Sequence, residues 1–164
     1  YDSANQLNIS CNTNIGVRGW QACARMLKKT HSVSYLDARS TNLNEINMPI
    51  LCRALKLGTK LHTLHLESCN LTGRPLLNLI AALRMNDSLV KLYLADNSIG
   101  SNDCIQLGNL LRTNLTLKLL DIRNNNLQDI GCSRVCEGIH DQTKQVTNNI
   151  SALPNSKLQK GLQR

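Results

Sequence analysis

LHTLHLESCNL (residues 61–71), LVKLYLADNSI (89–99) and LKLLDIRNNNL (117–127) are one pattern written three times. VSYLDARSTNL (33–43) is a fourth copy, and all four fit L-x-x-L-x-L-x-x-N/C-x-L with Val, Ala, Thr or Ile at some slots. Leu36, Leu64, Leu92 and Leu120 follow one another at intervals of 28 residues. Leu7, Ile9, Asn12 and Ile15 make an earlier copy with one residue inserted. Self-similarity at a fixed period of this size marks a stack of small units, none able to bury its apolar side alone.

The second half of each unit repeats as well. Eight residues beyond the last apolar slot stand Cys23, Leu51, Leu79, Leu107 and Val135, and four further on stand Leu27, Leu55, Leu83, Leu111 and Ile139. Apolar side chains four apart share one face of a helix. Gly73-Arg74-Pro75 suits a helix start, because Pro lacks an N–H that the first turn leaves unpaired anyway. Asp103 and Asp129 fall where a carboxylate meets the positive end of the helix dipole. Each unit therefore reads as a short strand, a turn and a helix, with helices near 17–29, 47–57, 74–85, 102–112 and 129–140. Strands pack closer together than helices, so the expected fold is an α/β solenoid. It is a curved horseshoe segment with parallel strands on the concave face and helices on the convex one.

Composition agrees with thin aliphatic layers. The 164 residues include no Phe and one Trp, Trp20, which shares a core-facing slot with Met48, Leu76, Cys104 and Cys132. The formal charge is +8, but Lys144, Lys157, Lys160 and Arg164 stand in a closing stretch that has no acid. The rest carries 15 basic and 11 acidic side chains, an ordinary solvated surface and no nucleic-acid footprint. No apolar run approaches the ~20 residues of a membrane span. No apolar leader opens the chain, and the seven cysteines are odd in number. Cys69 takes the slot of Asn97 and Asn125, while Cys23, Cys52, Cys104, Cys132 and Cys136 fall on buried or near-buried helix positions. Such thiols read as structural, which places the protein in the reducing interior of a cell, cytoplasm or nucleus.

Nothing in the pattern spells catalysis. There is no Gly-rich phosphate loop and no Ser, His and acid grouping. His62 and His65, three apart on a strand, point to opposite sides and do not chelate. No metal, cofactor or small-molecule substrate is expected. What remains is the concave strand face. Its positions beside the leucines are Asp37, His65, Tyr93 and Asp121, then Arg39, Glu67, Ala95 and Arg123, with Asp96 alongside. This mixed-charge ribbon with one Tyr is either a plain solvated sheet or a protein-binding surface anchored by Tyr and Arg.

The repeat register resembles the ribonuclease-inhibitor type of leucine-rich repeat. GVRGWQACARMLKKT (16–30), YLDAR (35–39), LHLESCNLTGRPLLNLIAALRMN (64–86), LYLADN (92–97), QLGNLLRTN (106–114) and CEGI (136–139) are more specific, and look like the leucine-rich-repeat regulatory subunits of protein phosphatase 1. The resemblance covers roughly residues 7–140. It implies an intracellular, non-catalytic scaffold that binds and inhibits the phosphatase catalytic subunit. Such regulators commonly dock through a basic residue, Val or Ile, any residue, then Phe or Trp. Here only Trp20 could close that motif, and Arg18 stands where Val or Ile is needed, so the docking segment is expected outside the repeats. The alternative is a GTPase-activating protein of the same repeat class, in which Arg39 and Arg123 would stabilise phosphoryl transfer. A ribonuclease-inhibitor-like decoy should be acidic, and this body is slightly basic.

Residues 1–141 are thus expected to form an array of about five repeats. Residues 142–164 lose the register, since Gln145 and Asn148 occupy slots that call for apolar side chains, and read as a polar, disordered tail. Tyr1-Asp2-Ser3 enters a repeat with no polar cap. An uncovered end repeat exposes a strand edge and core surface.

Overall fold

A computed structural model of the protein describes residues 4–56 and 59–151. Five short strands alternate with five helices: β1 (Gln6–Asn8), α1 (Val17–Lys29), β2 (Tyr35–Asp37), α2 (Met48–Leu55), β3 (Thr63–His65), α3 (Gly73–Leu83), β4 (Lys91–Tyr93), α4 (Ser101–Thr113), β5 (Leu119–Asp121) and α5 (Gln128–Ser151). The strands form one parallel sheet in sequence order. Its register pairs Leu7, Leu36, Leu64, Leu92 and Leu120 across successive strands, so the 28-residue spacing becomes a single column. Leu36, Leu64 and Leu92 are wholly buried, whereas Leu7 and Leu120, in the outermost units, are only partly covered. Each unit spans about 4.8 Å at its strand and roughly 10 Å at its helix, which bends the stack towards the sheet.

Two polar ladders hold the layers together. Asn97 accepts hydrogen bonds from the backbone N–H groups of Cys69 (3.1 Å) and Leu71 (2.8 Å). Its amide donates to the carbonyls of Leu66, Leu94 and Ala95. Asn125 repeats this one layer on, bonding Ile99 N–H and Leu94 O. In the earlier layers Thr41 Oγ1 and Cys69 Sγ both donate to Ala38 O. Asn97→Ala would orphan two backbone amides in one step. The expected cost is about 2–6 kcal/mol, at ~1–3 kcal/mol for each unsatisfied buried group. Urea unfolding measures it, and an unchanged midpoint would contradict the ladder's role.

The second ladder lies where helices end. Asn86 donates to Leu55 O (2.8 Å) and Asn114 to Leu83 O (2.7 Å). Each turns the chain by accepting the N–H groups two and three residues on. Gln142 is 28 residues past Asn114 and bonds Asn114 O at 2.6 Å. Asn competes with helix through such turns, whereas Gln is a good helix former. α5 accordingly runs through this point to Ser151. The boundary expected at 141 thus falls within a helix, and residues 152–164 of the expected tail lie outside the described residues.

Trp20 is fully buried in the first layer, with its indole Nε1 unpartnered among the described residues. Cys52, Cys69 and Cys104 are buried and Cys23 is half-buried. Burial pushes the Cys23 thiol up to about 11 and Cys52 up to about 12, so both stay protonated at neutral pH. Cys132 and Cys136 are exposed, contrary to the periodic reading. Cys104 holds the same slot as Cys132 but is covered by α5; nothing among the described residues stacks beyond α5. The end layers also leave core surface open. Leu7, Met26 and Val33 line a hollow of about 610 Å³ at one end, and Leu111, Leu117, Leu120 and Val135 one of about 360 Å³ at the other.

Candidate protein-binding face

Side chains on either side of each strand's buried leucine project away from the helices. The register therefore sets Asp37, His65, Tyr93 and Asp121 in one row. Two residues on, Arg39, Glu67, Ala95 and Arg123 follow, each leading into a left-handed residue: Ser40, Ser68, Asp96 and Asn124, with φ between 51° and 56°. Left-handed backbone is costly away from Gly, about 1–3 kcal/mol per residue. The sheet ladder continues across three of these positions: Ser40 N–H bonds Glu67 O, Ser68 N–H bonds Ala95 O and Asp96 N–H bonds Arg123 O.

Asp37 and Arg39 are locked together. Arg39 Nε donates to both carboxylate oxygens (3.0 and 3.1 Å) and Nη2 to Oδ2 at 2.6 Å. Asp121 and Arg123 repeat the arrangement at 2.9, 3.1 and 2.8 Å. The Asp37 side chain is 2% exposed and Arg39 lies over it at 47%, so Asp37 supports the face and does not itself meet solvent. Hydrogen bonds from Arg39 hold the Asp37 carboxyl below its usual range, against the opposing effect of burial, and Arg123 does the same for Asp121. A carboxylate with a lowered folded-state pKa contributes stability above its unfolded value near 3.9 and loses it as pH falls through the folded value. The stability difference between the protein and Asp37→Asn should thus be constant near neutrality and shrink below about pH 4. Urea titrations at stepped pH check this; a gap that persists in acid would contradict it.

Between the two ion pairs lies an aromatic run that the sequence did not reveal. His65 and Tyr93 stack with centroids 4.1 Å apart and planes 5° from parallel, and Tyr35 packs on His65 at 5.2 Å. His65 Nδ1 is 2.9 Å from Glu67 Oε1. Glu67 Oε2 is buried without a hydrogen-bond partner among the described residues. Arg39, Glu67, Ala95, Asp96 and Arg123, together with Ser40 and Ser68, line a groove of about 490 Å³. The eight residues expected on this face thus separate by role. Arg39, Glu67, Asp96 and Arg123 meet in the groove; Asp37 and Asp121 hold its arginines; His65 and Tyr93 form the stack beside it. Among the described residues no three His, Cys, Asp or Glu side chains converge as a metal site, and no helix is long and apolar enough to cross a membrane.

Solved structures share this architecture. Leiomodin-1 actin-binding site 2 superposes with a TM-score of 0.68 at 19% identity, covering 91% of this chain and 89% of that one. The tropomodulin C-terminal domain of Caenorhabditis elegans gives 0.71 at 14% identity, covering 93% and 92%. The fold is of the leucine-rich-repeat type. In sequence, the chain is similar to protein phosphatase 1 regulatory subunit 37. The bovine protein is 52% identical over 65 residues, 40% of this chain and 9% of that one. The zebrafish protein (Danio rerio) is 54% identical over 57 residues, 35% and 6%. The human protein is 51% identical over 61 residues, 37% and 9%. The chain therefore matches less than a tenth of the length of these relatives. No family model matches it. These relatives are named regulatory subunits.

Proposed function

We propose that the chain is a non-catalytic leucine-rich-repeat scaffold that takes part in inhibitory regulation of protein phosphatase 1, in the cytoplasm or nucleus, and that its sheet face is a protein-binding surface. The observation that carries this reading is the 52% identity over 65 residues with regulatory subunit 37. The geometry supports the second part. A rigid parallel sheet presents an aromatic stack, two oriented arginines and a groove, the residue types that anchor protein interfaces.

The face speaks against a GTPase-activating role. Arg39 and Arg123 each already give Nε and Nη2 to an aspartate. Each has mainly Nη1 left to offer a phosphoryl group, and for Arg39 a full swing towards one would strip a buried carboxylate of its ion pair.

The docking motif common to phosphatase regulators does not occur in these residues, as Phe is absent and Arg18 precedes Trp20 at the wrong position. A pull-down comparing this chain with a version extended at both ends tests the proposal. The extended form should retain the phosphatase catalytic subunit and lower its activity on a phosphopeptide, and this chain alone should retain little. Failure of the extended form to retain the enzyme would overturn the proposed role.

A further inference from the structure

The near balance of charge over the repeats hides a division between the two rims of the array. The segments that run from a helix end into the next strand, 28–35, 56–63, 84–91 and 112–119, carry eight Lys and Arg side chains and one acid, Asp87. The segments that run from a strand into the next helix, 37–47, 65–75, 93–103 and 121–131, carry three such cations and seven acids. Every unit runs from strand to helix in the same direction, so each set gathers on its own rim. We infer that the basic rim docks an extended acidic segment of a protein partner, on a surface separate from the sheet face.

Four of the cations form a column. Lys28, Lys56, Arg84 and Arg112 follow at 28-residue intervals and stand in the last turn or at the C-cap of α1 to α4. Basic side chains there offset the negative ends of the helix dipoles, but only in part. A dipole places roughly half a negative charge at a helix end, and each of these four ends meets two cations. Lys60, Lys91 and Lys118 lie beyond the last turn, where the dipole has faded. Among the described residues only Arg112 of the eight has an ion pair, with Asp141. Lys28, Lys56 and Arg84 are exposed.

The spacing of the column suits a polypeptide. Neighbouring helices lie roughly 10 Å apart, and an extended chain advances about 3.3 Å per residue, so every third partner residue meets a cation. Met85 follows Arg84, and Leu115 lies three residues past Arg112; they are 74% and 46% exposed. Apolar side chains between the partner's acids would cover them. Duplex nucleic acid carries a phosphate about every 1.7 Å, far denser than this single file. Single strands bind on aromatic platforms, and here Trp20 is buried while Tyr35 and Tyr93 pack on His65.

Peptides with Glu at every third position among Leu, Gly and Ser, or with Gln in place of Glu, provide the probes. The readout is the backbone amide shifts of the isotope-labelled full chain at physiological salt, where exposed charges more than about 8 Å apart are largely screened. The Glu peptide should give saturable shifts around Lys28, Lys60, Arg84 and Lys118, and the Gln peptide none. Lys56→Glu with Arg84→Glu should weaken binding of the Glu peptide roughly tenfold or more. Arg74→Glu, on the opposite rim, should alter it less than about twofold. All three side chains are exposed, so these variants keep the fold, and the Gln comparison needs no variant. Equal binding of the Gln peptide would overturn the inference. So would shifts centred on the sheet face, no shifts, or equal weakening by Arg74→Glu. Tighter binding of a DNA duplex or of phosphatidylserine vesicles at the same positions would overturn it too, by assigning the rim to a different partner. No phosphatase is present, so the titration stands or falls apart from the pull-down.

Discussion

Leu92→Asp should unfold the middle of the array. Leu92 is wholly buried, and its strand pairs with β3 on one side and β5 on the other. Truncating a buried leucine costs about 2–5 kcal/mol. An ionised carboxylate in the same place has no partner and costs more. Total stabilities of small domains are only about 5–15 kcal/mol. In a stacked array each layer touches only its neighbours, so a broken β4 layer removes support from both sides at once. The expected result is loss of the cooperative thermal transition and of much of the helical circular dichroism. An unchanged melting curve would show that Leu92 does not sit in the shared column.

Gly138→Leu should detach α5 from α4. A Cβ built on Gly138 would lie 2.4 Å from Gly108 O and 2.8 Å from Gly108 Cα, and one on Gly108 would lie 2.4 Å from Arg134 O. These obstacles are backbone atoms, which cannot swing aside as a side chain can. Overpacking a core costs about 1–3 kcal/mol where side chains adjust, and here whole helices have to move. Separation would uncover Cys104, which is fully buried beside Gly131. The expected signature is a lower melting temperature together with faster reaction of one further thiol with an aromatic disulfide reagent under native conditions. Unchanged melting and thiol reactivity would contradict the backbone contact.

The repeat made much of this legible beforehand. Equal spacing of Leu36, Leu64, Leu92 and Leu120 fixes both the parallel register and the side of the sheet that faces the helices. The Asn97 and Asn125 slot follows from the same spacing. Asn86, Asn114 and Gln142 share that period too, but look like ordinary loop residues until their bonds to the preceding layer are seen. Periodicity describes an interior unit and says little about an end. Cys132 and Cys136 are exposed because no described layer covers them. α5 is longer than its counterparts because Gln142 stands where Asn turns the chain in earlier units. On the face, the sequence places eight polar and aromatic residues together but does not distribute their roles. Burial of Asp37 beneath Arg39, and stacking of His65 on Tyr93, depend on side-chain rotamers that spacing does not determine.

Amide hydrogen exchange on the extended protein, free and bound to the phosphatase catalytic subunit, tests the central claim that the sheet face is where a protein partner seats. The account predicts slowed exchange on binding in the segments around Arg39–Ser40, Glu67–Ser68, Ala95–Asp96 and Arg123–Asn124. Protection confined to the helices, or to chain outside the repeats, with these four segments unchanged in the complex, would contradict it.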